Sequence, residues 1–202
     1  MIKVYKNFFD SDCLKLIEES IEKSKNTANL RTSYPSNNWG SDIIHQSAPV
    51  MVYDMQDVDI LRERLTDNKS QIKHLDIDFT TAQFMIYYWP IGSYIPLHND
   101  RHATLTATLY CNKVWDIDWG GLFLYKEKDK ILAEVPEWNK LIIQTDKEWH
   151  CTTSITRPYY LPELINGTVE IVSDMRTTLQ IFVPEELTEY KDLEELKQKY
   201  EK

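Results

Sequence analysis

The 202-residue sequence predicts an α+β fold: a jelly-roll core, that is, a double-stranded β-helix of about eight strands, with N-terminal and C-terminal helices packed on it. Three observations predict it. Apolar residues recur at helical spacing in two segments before residue 70. From residue 72 to residue 183 the texture changes to short alternating runs separated by turn residues. After Pro184 helical spacing returns. About eight short strands bury their apolar faces as two packed sheets, which is the jelly roll.

The elements follow in order. Asp10 or Ser11 can cap a first helix over about 11–24, where Leu14, Ile17 and Ile21 share a face. Polar residues at 24–29 end it. Residues 31–40 form a loop carrying Arg31, Tyr34 and Trp39, either a plain connector or a lid near a substrate mouth. A second helix occupies 55–66, with Val58, Leu61 and Leu65 on one side, and Asp67-Asn68 stops it. Strands are expected at 72–78, 82–89, 93–97, 103–110, 121–126, 130–135, 140–145, 150–156 and 176–183. Residues 103–110 show the clearest period of two, and Pro136-Glu137-Trp138-Asn139 is a turn. Leu187, Tyr190, Leu193 and Leu196 place an amphipathic helix over about 185–202. A single domain then spans 1–202: a helical part over about 1–70, a β core over 72–183 and the C-terminal helix.

Composition narrows the function classes. The net charge is −9 and no dense Lys/Arg cluster occurs, which disfavours a phosphate-backbone partner, so no nucleic-acid binding is expected. No apolar run approaches a bilayer span, and the N-terminus lacks the apolar stretch of a secretory leader. Three scattered cysteines, Cys13, Cys111 and Cys151, offer neither a disulfide framework nor a C-x-x-C pair; they fit a reducing cytoplasm. The oligomeric state is not legible.

The chemistry concentrates at His98-Asn99-Asp100 and at His150, 52 positions later. Side chains i and i+2 of a strand point to one side, so His98 and Asp100 can reach one metal from one strand end. His150 must arrive from another strand. Two imidazoles and one carboxylate make a facial triad for Fe(II), with the opposite coordination face open.

Around this triad stand Tyr88 in a Tyr-x-Pro-x-Gly-x-Tyr context, then Tyr110-Cys111-Asn112 with Trp115, then Gly120-Gly121-Leu122, and finally Arg176-Thr177-Thr178-Leu179-Gln180-Ile181-Phe182. In that order, over residues 80–183, the sequence resembles the Fe(II)/2-oxoglutarate-dependent dioxygenases, prolyl 4-hydroxylase-like branch. The resemblance implies Fe(II) held by His98, Asp100 and His150, with 2-oxoglutarate and O2 as cosubstrates and ascorbate as a conceivable accessory reductant. It implies hydroxylation of a C–H bond, most simply in a prolyl or other residue of a peptide or protein. A free amino acid or other small-molecule substrate is the alternative. Arg176 is the implied partner of the distal carboxylate of 2-oxoglutarate; Thr178, Tyr110 and Tyr88 are the other cosubstrate-binding candidates.

The pattern departs from the branch in one respect. Arg176 stands 26 positions beyond His150, more than usual, with an insertion over 158–175 that can cover the substrate mouth. Arg157 is the competing anchor, but it precedes Pro158, where a strand should end. Related halogenases need a small residue at the place of Asp100, so its retention implies a hydroxylase. Nucleic-acid demethylases of the superfamily carry a second Arg where this chain has Phe182. Three other readings compete: a non-catalytic metal sensor on the same barrel; a cupin-like enzyme, which the five histidines and the lack of His-x-His disfavour; and a structural or interaction module working through the acidic C-terminal helix, which leaves the ordered motifs unexplained.

Overall fold

The computed structural model describes residues 1–25, 31–33, 50–67, 70–100, 103–145, 148–156 and 175–184. Among them the chain runs β1 (Ile2–Tyr5), α1 (Ser11–Lys25), β2 (Arg31–Ser33), β3 (Val50–Asp54), α2 (Asp59–Thr66), β4 (Gln83–Trp89), β5 (Ile95–His98), β6 (Ala103–Tyr110), β7 (Phe123–Glu127), β8 (Lys130–Glu134), β9 (Leu141–Gln144), β10 (His150–Thr152) and β11 (Arg176–Pro184). One sheet has the order β1-β9-β6-β11-β4-β3-β2, the other β5-β10-β7-β8. The eight strands β4 to β11 distribute four to each sheet, and every pairing is antiparallel. This is the double-stranded β-helix that the strand count predicts.

The large sheet is covered on both faces, the outer one apolar and the inner one mixed. Its outer face carries Phe84, Ile86, Tyr88, Leu105, Ala107, Leu109, Leu179 and Ile181, which pack with Cys13 and Ile17 of α1 and Leu61 and Leu65 of α2. Asp10 caps α1 as expected: its Oδ1 accepts from the Cys13 amide at 3.1 Å. The inner face meets the small sheet. There Tyr110 and Ile142 pack on Phe123, and Trp89, Val50 and Val52 pack on Ile155.

The N-terminal part differs from the expectation of helices alone. Strands β1, β2 and β3 extend the two edges of the large sheet, β1 on β9 and β3 on β4. A strand three to five residues long carries too little pattern to announce itself; pairing with a distant edge makes it a strand. The second helix begins at Asp59 rather than 55, because Asp57 sits at φ 56° and interrupts the turn. Residues 72–78 hold a 3₁₀ turn, Lys73–Leu75, closed by a left-handed Asp76, and no strand. Strand β7 starts at Phe123 rather than 121, since Gly120 and Gly121 both have positive φ. The expected C-terminal helix, most of the 158–175 insertion and the loop beyond Ser33 lie outside the described residues.

Candidate active site

In antiparallel strands directly opposed residues share a face. His98 ends β5 and His150 begins β10, and the two are paired partners across the small sheet. Their rings lie 4.1 Å apart, and Phe123 stacks on His150 at 5.1 Å. Asp100 sits in the turn after β5, its Oδ1 3.6 Å from His98 Nε2 and its Oδ2 3.7 Å from His150 Nε2. One ligand atom from each residue falls within 4.8 Å of the others, the span of three donors around a single ion.

Each donor is oriented from behind. His98 Nδ1 donates to the Pro96 carbonyl at 2.8 Å and His150 Nδ1 to the Glu148 carbonyl at 2.9 Å. Both bonds are i to i−2 contacts built by the local backbone, and both turn Nε2 toward Asp100. Burial, followed by the neighbouring His98, pulls the His150 imidazole down to about 4, so it is neutral and ligand-competent at neutral pH. Thr106 of β6 donates to Asp100 Oδ2 at 2.7 Å. Burial works to raise the Asp100 carboxyl, but the facing His98 and His150 imidazoles and the Thr106 hydroxyl hold it below its ordinary value. These residues fit a divalent transition metal with N,N,O ligation.

The inner face of the large sheet continues from this centre in rows. Thr106 faces Phe182, Thr108 faces Gln180, Tyr110 faces Thr178, and Arg176 faces Trp89. At the far end Arg176 is 1% exposed. Its guanidinium is sandwiched between the Trp89 and Tyr110 rings, 5.2 Å from each centroid. Among the described residues no carboxylate pairs with it, and its Nε and Nη1 have no hydrogen-bond partner; neither has the Tyr110 hydroxyl. Each buried orphan donor costs about 1–3 kcal/mol, and an unpaired buried charge costs several. Burial accordingly pulls the guanidinium below its ordinary value, against the opposing effect of Tyr110. Three donors with nothing to donate to, in one buried place, suit the carboxylate of an incoming molecule.

Thr178, fully buried, lies beside them and accepts from Trp89 Nε1 at 2.9 Å. Of the sequence-derived candidates, His98, Asp100 and His150 therefore come together at one end of the barrel, and Arg176, Tyr110 and Thr178 at the other. Tyr88 does not join them. It lies on the opposite face of β4, where its hydroxyl bonds Ser24 and donates to the Ile21 carbonyl of α1. It is a core residue under the helix, and its neighbour Trp89 packs against Arg176 and Thr178 instead. Arg157 lies outside the described residues. Trp89, Gln180 and Thr106 escaped the sequence reading; only their i±2 spacing from Tyr87, Thr178 and Thr108 could have found them.

Gly120 and Gly121 shape this end of the barrel. A Cβ on Gly121 would meet Arg176 Cδ at 3.0 Å, so its absence makes room for the arginine stem. A Cβ on Gly120 would meet the Ser154 carbonyl oxygen at 2.1 Å.

No family model matches the chain, and no curated protein matches it. Solved structures do. A prolyl-4-hydroxylase from Pseudomonas putida superposes with a TM-score of 0.65 at 12% identity over 91% of each chain. A prolyl hydroxylase from Trichoplax adhaerens, in complex with a hypoxia inducible factor oxygen degradation domain peptide fragment, gives 0.62 at 14% identity, covering 91% of this chain and 83% of its own. A 2OG-Fe(II) oxygenase family oxidoreductase from Burkholderia pseudomallei gives 0.58 at 13% identity, with 90% and 84% covered. At these identities the likeness establishes the fold: it is that of the prolyl 4-hydroxylase-like 2-oxoglutarate/Fe(II) oxygenases.

Proposed function

We propose that the protein is an Fe(II)- and 2-oxoglutarate-dependent dioxygenase that hydroxylates a C–H bond of a peptide or protein, a prolyl residue foremost. One observation carries the reading. A His, Asp, His trio and a buried, unpaired arginine occupy the two ends of one barrel interior, as a cosubstrate that bridges metal and guanidinium requires. A metal sensor explains the trio but leaves Arg176 a buried charge without purpose.

When bound, iron(II), 2-oxoglutarate and O2 supply oxidation of the substrate C–H bond, with decarboxylation of the cosubstrate to succinate. The chain's own residues bind and orient. His98 and His150 present Nε2, fixed by their Nδ1 bonds, and Asp100 adds the anionic ligand steadied by Thr106. Arg176 would neutralise the distal carboxylate, and the Tyr110 and Thr178 hydroxyls would donate hydrogen bonds to it. Tyr110, Ile142 and Phe123 close the space between the sheets and keep water from it. A peptide substrate is supported by the fold shared with two prolyl hydroxylases, one of them solved with a peptide.

The test is turnover after anaerobic Fe(II) loading, followed as conversion of 2-oxoglutarate to succinate on admitting O2, together with 2-oxoglutarate binding to the metal-loaded protein. Binding and turnover in the wild type, with turnover lost in His98→Ala and binding lost in Arg176→Leu, is the expected result. Metal binding with no 2-oxoglutarate binding would replace the oxygenase by a sensor.

A further inference from the structure

We propose that Trp89 and Gln180 are positioning residues that fix the direction of the Thr178 hydroxyl proton, and thereby make Thr178 a committed donor to the distal carboxylate of the bound 2-oxo acid. The inference rests on the 2-oxoglutarate reading above and assigns residues that the family resemblance does not.

A threonine hydroxyl has one proton and two lone pairs. Trp89 Nε1–H can only donate, and it donates to Thr178 Oγ1 at 2.9 Å. Gln180 Nε2 donates to the same oxygen at 3.0 Å. Both lone pairs are then occupied, and the proton must point elsewhere. Among the described residues nothing accepts it. The Gln180 amide is itself held in this orientation, because the Thr108 hydroxyl donates to its Oε1 at 2.9 Å. The chain of bonds runs Thr108 to Gln180 to Thr178, with Trp89 closing it from β4.

All four side chains are buried, so no water competes for these groups and the arrangement is set before any ligand arrives. Trp89 has a second contact of the same kind: its ring lies under the Arg176 guanidinium. One indole thus steadies two of the donors, by its N–H and by its face. If the tryptophan were only a core filler, its N–H would need a partner but not this one. Two N–H groups converging on a single hydroxyl, beside two orphan donors, is the feature that packing alone does not require.

The experiment is a double-mutant cycle read by calorimetric titration of 2-oxoglutarate into the Mn(II)-loaded protein, with Mn(II) affinity measured in parallel. Thr178→Val removes the donor. Trp89→Phe keeps the ring and removes the N–H, and Gln180→Met removes the other N–H should Trp89→Phe fold poorly. Each is expected to weaken 2-oxoglutarate binding about tenfold with Mn(II) affinity unchanged. In the Thr178→Val background either change adds less than about twofold, since each acts through the missing hydroxyl. Thr178→Ser retains wild-type affinity. Binding of 2-oxopentanoate, which has the same chain without the distal carboxylate, is the same in wild type and variants.

Factors that multiply in the double variants, or an equal loss for 2-oxopentanoate, would make Trp89 and Gln180 structural and overturn the inference. Wild type that binds no 2-oxoglutarate overturns the function with it. Wild type that binds, Arg176→Leu that does not, and a multiplicative cycle would overturn the positioning role alone.

Discussion

The proposed metal ligands owe their orientation to single contacts. Thr106 donates to Asp100 Oδ2 and fixes which oxygen faces the histidines. Thr106→Val keeps the shape and removes the donor, so Mn(II) or Fe(II) affinity is expected to fall about 10- to 100-fold, measured by calorimetry. Arg176 poses the opposite case. Its guanidinium is buried with two unpartnered nitrogens, so the ligand-free protein carries its cost. Arg176→Leu is therefore expected to unfold at no lower a temperature than wild type without ligand. The His98–Asp100 pair was legible because two positions apart at a strand end is a local relation, while His150, 52 positions on, was legible only by its residue type. Thr106 was not, because it lies on a different strand from His98 and only the folded structure brings its hydroxyl to Asp100.

Among the elements, β4 shows why Trp89 was missed and Tyr88 taken. A strand with one wet face alternates, and the alternation tells which residues look inward. Here α1 and α2 cover the outer face and the small sheet covers the inner one, so Gln83–Trp89 reads Phe-Met-Ile-Tyr-Tyr-Trp with no alternation to decide. The two assignments separate experimentally. Tyr88→Phe removes the bonds to Ser24 and Ile21; it is expected to destabilise by about 1 kcal/mol in urea and leave 2-oxoglutarate affinity unchanged. The Gly120-Gly121 pair divides in the same way. Gly120→Ala collides with the Ser154 backbone at positive φ and is expected to cost at least about 2 kcal/mol of stability. Gly121→Ala presses on the Arg176 stem, and weaker 2-oxoglutarate binding is its expected signature.

For the molecule entire, the proposed cosubstrate would couple the two ends of the barrel. A cosubstrate that binds only the folded state at 100 times its dissociation constant adds about 2.7 kcal/mol. For a chain of this size that raises the melting temperature by several degrees in the Mn(II)-loaded protein, and Arg176→Leu is expected to abolish the rise. Differential scanning calorimetry with and without 2-oxoglutarate reads both. Among the described residues no helix is long and apolar enough to cross a membrane, and all three cysteines are free.

Sequence alone determined the eight-strand core, a capped first helix, and His98, Asp100 and His150 as candidate metal ligands, while the choice of Arg176 and Tyr110 as candidates came through the family resemblance. The strands, the helix faces and the His98–Asp100 pair rest on local spacing, which the backbone period dictates before any tertiary contact forms. The tertiary structure decided the rest. It turned short N-terminal segments into edge strands, set Tyr88 against α1 and Trp89 into the barrel, and converged two N–H groups on Thr178. Those outcomes depend on which distant strand lies alongside and which layer covers each face, and hydrogen bonds between residues 70 or 90 positions apart leave no period in the chain that makes them.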